Sequence, residues 1–269
     1  LESYIYGSTK PSYMKKLILS MTMLFVVMFA FAQTNAKPTY YLLNYYKADK
    51  GKASEYIDLI KTYASKIWKE KVKAGDITSY SLYSVATSSE DGGYDLVSLQ
   101  SGSSINDFSK TNTAEFMKKA FPGIDEAILS SLASKYTGLR VPVKTEIWKN
   151  VDGISGDQKY VEINFMKTLP GKEEEYVRQE KEVYKPIHQE FINRGNRTAW
   201  YFNQLIVPLA ENSKYNYGTA NYFNDWDKSY SVTIDEYGKI YNKLFPKASI
   251  PETARTIVKT EIWKLEVIA

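Results

Sequence analysis

The side chains best suited to proton transfer lie on one predicted helix in the second half of the chain. The single histidine, His188, follows Tyr184 by one helical turn and Glu180 by two, and this i, i+4, i+8 spacing aligns the three on one helix face. The imidazole could act as a general base, or as the axial ligand of a haem iron, which commonly takes a proximal histidine. The alternative is that His188 is a half-buried packing residue with one hydrogen bond.

The amino-acid composition excludes several kinds of catalytic and metal-binding chemistry. The 269 residues include no cysteine and one histidine, which excludes disulfides, thiolate nucleophiles, iron–sulfur clusters and closed cysteine- or histidine-based metal sites. We therefore predict no metal site and no resident cofactor. The 35 basic residues against 31 acidic ones give a formal charge of +4, which argues against a nucleic-acid partner.

The region around residues 14–32 has the pattern of a secretory signal peptide. Met14 and two lysines precede an almost wholly apolar run, 17–32, and Ala30-Phe31-Ala32 matches a cleavage pattern, with a second possible cut after Ala36. The alternative is a retained anchor, but the run is shorter than the roughly 20 residues that span a bilayer. We expect an exported protein, periplasmic or extracellular, with no stable membrane anchor after cleavage. Residues 1–13 carry no targeting pattern and are interpreted as an upstream or artefactual segment.

The rest of the chain repeats itself. Residues 143–149, Val-Lys-Thr-Glu-Ile-Trp-Lys, recur without change at 258–264. Further upstream, Gly51-Lys52 and Ile67 match Gly171-Lys172 and Ile187 at a spacing of 120 residues. The pattern predicts a tandem duplication with a first repeat over 38–150 and a second over 158–268.

Each repeat predicts the element order βαββαβ. Short Tyr-, Val- and Ile-rich runs predict strands, and apolar residues at helical spacing predict helices over 53–73 and 173–193. Gly75 and Gly195 follow these helices as C-cap glycines would. The fold class is therefore α+β: two tandem ferredoxin-like repeats, each with helices on one sheet face. The other faces of the two sheets can cover each other, which gives an intrachain dimeric α/β-barrel.

The residues at these positions resemble the dimeric α/β-barrel superfamily, which includes NIPSNAP-like, EthD-like and antibiotic-monooxygenase-like domains and the haem enzyme chlorite dismutase. The resemblance covers about 38–268 and rests on 170–172 with Glu175-Tyr176, on Trp68 and His188 late in the first helices, and on the C-cap glycines. Residues 185–190 with Arg194-Gly195 look like the secreted, duplicated members of uncharacterised function from Bacteroidetes-type bacteria. The resemblance to chlorite dismutase implies haem on the equivalent helix, but the spacing after His188 differs.

Strand alternation assigns the candidate site residues to the barrel interior. The pattern places Glu162, Asn164 and Asn44 on the same side as Glu146, Trp148, Glu261 and Trp263, with Val161, Ile163 and Phe165 facing the helices. We expect Asn44 near Glu146, and Asn164 with Glu162 near Glu261. These residues could form a ligand pocket with aromatic walls, or could pack the two repeats together with the glutamates hydrogen-bonded to facing Asn, Lys or Tyr groups.

Three functions remain open at this point. The first is an exported binding or accessory protein that holds a small apolar or aromatic molecule. The second is a cofactor-independent monooxygenase- or isomerase-like enzyme in which His188 or Glu162 moves a proton and Tyr184 or Trp200 walls the pocket. The third is a structural or interaction protein without a pocket. A homodimer is possible in each case.

Overall fold

The computed structural model describes residues 38–89, 93–110, 113–210 and 213–269. The predicted signal peptide, both cleavage positions and residues 1–13 lie outside the described residues. No helix in these ranges is long and apolar enough to cross a membrane.

The two halves of the described chain have the same order of strands and helices, except that the first half has two helices before its last strand and the second half has one. The first contains β1 (Tyr40–Ala48), α1 (Ala53–Leu59), a π-helical turn (Ile60–Ala64), α2 (Ser65–Lys73), β2 (Ser79–Ser88), β3 (Leu96–Gly102), a 3-10 turn (Ile105–Ser109), α3 (Thr113–Ala120), α4 (Glu126–Gly138) and β4 (Arg140–Ile154). The second contains β5 (Tyr160–Thr168), α5 (Glu173–Gln179), a π-helical turn (Glu180–Tyr184), α6 (Lys185–Asn193), β6 (Ala199–Val207), β7 (Tyr217–Phe223), a 3-10 turn (Trp226–Tyr230), α7 (Ile234–Leu244) and β8 (Arg255–Ile268).

The eight strands close into one antiparallel barrel in the order β1-β3-β2-β8-β5-β7-β6-β4. The two longest strands, β4 with 15 residues and β8 with 14, join the halves. The first pairs with β1 and β6, and the second pairs with β5 and β2. The predicted α+β barrel is therefore present. Its sheets meet not only face to face but also edge to edge, so every strand has two neighbours.

Glycines end the first long helix of each half. Gly75 and Gly195 both have φ of +73°, the left-handed conformation that glycine adopts without steric cost. The backbone N–H of each donates to a carbonyl in the last helical turn, Val72 or Ile192. The predicted C-caps are confirmed, and each turn brings the chain from the helix directly into β2 or β6.

The predicted assignment of faces on β1 and β5 is wrong. Directly paired residues lie on the same sheet face, and the register pairs Glu146 with Leu43 and Glu261 with Ile163. The two glutamates lie inside the barrel. Val161, Ile163 and Phe165 therefore also face the interior, where they pack with Trp148 and Trp263.

The polar residues of the same strands point outward, toward the helices. Asn44 pairs with Thr145 and accepts a hydrogen bond from its hydroxyl at 2.8 Å. Asn164 pairs with Thr260 and accepts the equivalent hydrogen bond at 2.7 Å. Asn44 is therefore not beside Glu146, and Asn164 and Glu162 are not beside Glu261. Alternation could not decide this, because both faces of a barrel strand are covered, one by the opposite wall and one by helices.

Candidate functional site

The barrel encloses a largely apolar cavity of about 510 Å³, which we call the barrel cavity. Its walls come from all eight strands and are rich in aromatic and branched aliphatic side chains, including Tyr41, Leu43, Tyr83, Leu99, Trp148, Val161, Ile163, Phe165, Tyr201, Ala220, Tyr222, Trp263 and Leu265. Volume and lining are typical of a small-molecule site.

The barrel cavity has a polar rim at one end and an aromatic floor at the other. Polar groups of Ser79, Asp157 and Gln158 lie at the rim, the last two in the segment between β4 and β5. The indoles of Trp148 and Trp263 form the floor with Phe165, and both indoles are nearly fully buried. A molecule in this cavity would meet ring faces and edges over most of its surface.

Below the floor, Glu261 forms the centre of a buried polar cluster. Its Oε1 accepts hydrogen bonds from the Tyr94 hydroxyl at 2.7 Å and from Lys259 Nζ at 2.8 Å. Its Oε2 accepts from Trp263 Nε1 at 2.8 Å. The Lys259 side chain is 7% exposed and that of Glu261 is fully buried, so this is an ion pair inside the barrel. Burial and the neighbouring carboxylate raise the pKa of Tyr94, which keeps its hydroxyl a donor.

Glu146 forms the equivalent cluster on the other side of the barrel. Its Oε1 accepts from Lys144 Nζ at 2.7 Å and from the Tyr215 hydroxyl at 2.5 Å. Its Oε2 accepts from the Tyr45 hydroxyl at 2.8 Å and from Trp148 Nε1 at 3.0 Å. Burial lowers the pKa of Lys144 against the opposing effect of Glu146. These contacts agree with the packing interpretation of both glutamates, with Lys and Tyr partners and no Asn.

A second cavity of about 390 Å³ lies between the outer face of the sheet and the helices of the second half. We call it the polar pocket, because charged and hydrogen-bonding groups dominate its lining: Glu162, Asn164, Glu180, Tyr184, His188, Arg197, Thr219, Asn221, Tyr237 and Arg255. Met166, Val232, Ile234 and Ile257 supply its apolar part.

Four of the equivalent positions in the first half are apolar. Strand register and helix order align four replacements, from first half to second: Leu42 to Glu162, Ile60 to Glu180, Trp68 to His188 and Ile77 to Arg197. In the first half, Ile60 and Ile77 are buried in an apolar core with Tyr56 and Tyr80. The second half thus has a polar pocket where the first half has part of its hydrophobic core.

His188 is held between an aromatic ring and a guanidinium group. Its ring stacks on the indole of Trp200 with a centroid distance of 4.9 Å, as Trp68 stacks on Tyr80 at 4.4 Å in the first half. Nη1 of Arg197 contacts His188 Nδ1. Because a guanidinium can only donate, Nδ1 accepts and the ring proton is on Nε2. Burial, and next the charge of Arg197, lower the pKa of His188 well below its ordinary value, so the ring is neutral.

This arrangement does not fit a haem axial ligand. A metal-bound histidine usually donates its second ring N–H to a carboxylate or carbonyl, which strengthens it as a ligand. Here the second nitrogen faces a cation, and Nε2 holds the proton that a ligand nitrogen must lack. In the described ranges, no group of three or more histidine or carboxylate side chains could hold a metal ion. The expectation that the protein has no resident cofactor stays a prediction.

Glu180 is the carboxyl group with the most perturbed environment in the polar pocket. It is 2% exposed, and its Oε2 has no hydrogen-bond partner. Burial raises the pKa of Glu180 to about 7, although the charge of Arg255 opposes the shift. A carboxyl group with this pKa can gain or lose a proton near neutral pH.

The structure divides the predicted site residues between separate places. Trp148 and Trp263 line the barrel cavity, with Glu146 and Glu261 beneath them, whereas Glu162, Asn164, Tyr184 and His188 line the polar pocket. Trp200 lies behind His188, and Asn44 lies on the outer face of the first half. The predicted catalytic pair, Glu162 and His188, does share one pocket.

Sequence reasoning missed several residues of the polar pocket. It placed Glu180 on the helix face of His188 without assigning it a role, and it did not single out Arg197, Arg255, Asn221 or Tyr237. A signal existed for two of them, because the aligned halves replace buried Ile60 and Ile77 with Glu180 and Arg197.

Comparison with known proteins yields structural neighbours only. No family model matches the chain, and no curated protein matches it. A haem-binding protein from Thermus thermophilus aligns with 9% identity and a TM-score of 0.47, covering 85% of this chain and 91% of that one. A mutant chlorite dismutase from Candidatus Nitrospira defluvii in complex with cyanide aligns with 8% identity and a TM-score of 0.47, covering 84% of this chain and 90% of that one. An anthrone oxidase-like protein aligns with 11% identity and a TM-score of 0.43, covering 87% of this chain and 94% of that one. The neighbours have dimeric α/β-barrel folds, and the likeness concerns fold alone.

Proposed function

We propose that this protein binds a small apolar or aromatic molecule inside its barrel, as an exported binding or accessory protein. The observation that carries the proposal is the barrel cavity, with its volume of about 510 Å³ and its aromatic floor of Trp148 and Trp263. The signal-peptide pattern of 14–32 supports export. We also propose that the protein is NIPSNAP-like and that it forms a homodimer.

The clusters below the floor support a binding role for the cavity. Two Lys–Glu pairs, one of them fully buried, occupy the end of the barrel beyond Trp148 and Trp263, and all four carboxylate oxygens accept hydrogen bonds. A filled polar end and an apolar chamber above it favour an apolar ligand, since a charged one would lose its hydration without gaining a partner. The polar groups at the rim can orient one polar substituent.

A native mass spectrum of residues 33–269, purified gently after export, tests occupancy and oligomeric state together. A retained small-molecule mass would support the proposal and identify the ligand. For protein that emerges without one, the neutral aromatic dye N-phenyl-1-naphthylamine serves as a probe, and we expect its fluorescence to rise on binding and that of the tryptophans to fall.

A cavity-filling variant locates the bound probe. Ala220 is buried in the cavity wall, and Ala220→Phe should weaken dye binding by tenfold or more because the new ring occupies the space. Ile163→Trp is a second variant of the same kind should the first fail to fold. Ala114→Phe, at an exposed position of α3, is the matched control and should bind the dye as the parent protein does. Equal dye binding by a folded Ala220→Phe variant would contradict the proposal.

A further inference from the structure

The polar pocket contains buried groups that no protein group satisfies. Glu180 Oε2 and Asn221 Oδ1 are acceptors without a hydrogen-bond partner, and Arg255 Nε is a donor without one. Buried polar groups are nearly always hydrogen-bonded, and leaving one unpaired costs about 1–3 kcal/mol. Both kinds of unpaired group therefore occur at one cavity, which favours an occupant with donors and acceptors of its own.

The charged side chains of the polar pocket also favour such an occupant. Glu162 accepts hydrogen bonds from the amide groups of Asn164 and Asn221, at 3.1 and 2.8 Å, and these partners are uncharged. The hydrogen-bond partners of the Arg197 guanidinium are the His188 ring and the Tyr237 hydroxyl, also uncharged. Two carboxyl groups and two guanidinium groups thus line one cavity without neutralising each other through direct hydrogen bonds.

The first half of the chain shows that the fold does not need Glu162, Glu180 or Arg197. There, Ile60 and Ile77 fill the corresponding space. Arg255 differs, because its counterpart Arg140 is also charged, stacks on the ring of Tyr46 at 3.6 Å and likewise has an Nε without a hydrogen-bond partner. An apolar core at these positions is compatible with the same arrangement of helix and strands. The charges of Glu162, Glu180 and Arg197 consequently need a reason other than folding.

The geometry points to an α-amino acid with an apolar side chain as the ligand of the polar pocket, its carboxylate held by Arg197 or Arg255 and its ammonium group by Glu180 or Glu162. Guanidinium groups match carboxylates by paired N–H donors, and the glutamates supply acceptors for the ammonium. Met166, Val232 and Ile257 provide apolar surface for the side chain, and the exposed Ile234 and Ile257 mark an opening to solvent.

L-Leucine is the probe, and two analogues each remove one charge. Isothermal titration with L-leucine should show saturable binding, whereas 4-methylpentanoate, which lacks the ammonium, and 3-methylbutylamine, which lacks the carboxylate, should bind at least tenfold more weakly. No saturation by L-leucine at millimolar concentration, or equal affinity for 4-methylpentanoate, would overturn the inference. The second result would assign the pocket to simple carboxylates.

Proton exchange distinguishes these ligand classes independently. The groups around Glu180 are Tyr176 of α5, Tyr184 of the π-helical turn, His188 of α6, Arg197, Tyr237 of α7, Glu162 of β5 and Arg255 of β8. Since burial raises the pKa of Glu180 to about 7, Glu180 is partly protonated near neutral pH, and an ammonium group beside it should release a fraction of a proton on binding. Titrations at pH 7 in phosphate and in Tris measure this release. Proton uptake would instead indicate a ligand that brings only negative charge.

Variants locate the site and separate it from the barrel cavity. Arg255→Gln and Glu180→Gln should each weaken L-leucine binding at least tenfold, and Glu180→Gln should also abolish the proton release. Arg140→Gln, the matched change in the first half, should leave the affinity unchanged. Dye binding in the barrel cavity should persist in all three variants. Unchanged L-leucine affinity in a folded Arg255→Gln, Glu180→Gln double variant would overturn the assignment.

Discussion

Replacing Glu261 with alanine should lower the free energy of unfolding by about 3–5 kcal/mol, because it leaves the ammonium group of Lys259 buried without a counter-ion. The Lys259 side chain is 7% exposed, and its Nζ lies 2.8 Å from Glu261 Oε1. The same change removes the acceptor for Tyr94 and for Trp263. The free energy of unfolding of a domain is typically about 5–15 kcal/mol. The urea concentration at the unfolding midpoint should therefore fall strongly.

Two controls separate this effect from a general loss of packing. The double variant Glu261→Leu, Lys259→Met removes both charges and should recover most of the lost stability, since apolar replacement of a buried ion pair is often neutral. Glu115→Ala breaks the exposed pair with Lys119 and should leave the unfolding midpoint nearly unchanged, because solvent screens exposed ion pairs. A loss for Glu261→Ala as small as that for Glu115→Ala would mean that Lys259 is hydrated in solution.

The repeated Val-Lys-Thr-Glu-Ile-Trp-Lys segment shows how far the sequence leads. Its strict alternation predicts that Lys, Glu and Trp share one face, and both copies place them inside the barrel. The element order, the C-cap glycines and the barrel are accessible for the same reason, because they depend on local spacing and on a pattern that recurs along the chain. The barrel closes because β4 pairs with β6 and β8 pairs with β2. Local sequence patterns do not show which strand edges will pair, so they do not predict this closure.

The inverted faces of β1 and β5 mark the limit of that reasoning. Glu162 and Asn164 alternate with Val161, Ile163 and Phe165, and the sequence predicts that the apolar set faces the helices. In this barrel the interior is the more apolar side, and the register with β8 decides the question. Alternation identifies two faces but cannot say which layer covers each one, so only the pairing partner could assign them.

The polar pocket illustrates a different limit. Its charged residues come from a β-strand start, a π-helical turn and a helix-to-strand connection, so no local motif contains them. The aligned halves show Glu180 at the position of Ile60. The sequence could reveal this replacement, because equivalent positions of two similar folds should hold similar residues when both positions belong to the core. That Glu180 and Arg255 meet at one cavity depends on β8 lying beside β5.

Replacing Glu180 with glutamine should make the protein more stable than the parent at pH 8, with the difference developing as the pH rises through the range from about 4.5 to 7. Burial raises the pKa of Glu180 to about 7 from an ordinary value of 4.5. The folded state therefore binds a proton that the unfolded state has released, and stability falls as the pH rises through this window. The shift corresponds to about 3 kcal/mol. Glutamine keeps the size of the side chain and has no charge to bury.

The measurement is the difference in unfolding free energy between Glu180→Gln and the parent protein, from urea titrations at half-unit pH steps between 4 and 8.5. Taking the difference cancels groups that titrate alike in both proteins. Glu175→Gln on the preceding helix α5 is the matched control, because Lys172 lowers the pKa of Glu175 from 4.5, so its difference should change only below about pH 4.5 and stay flat from there to pH 8.5. A difference for Glu180→Gln that stays constant with pH would show that Glu180 is hydrated or ion-paired in solution. Adding L-leucine should reduce the pH-dependent advantage of Glu180→Gln, since an ammonium ligand stabilises the ionised carboxyl that only the parent protein contains.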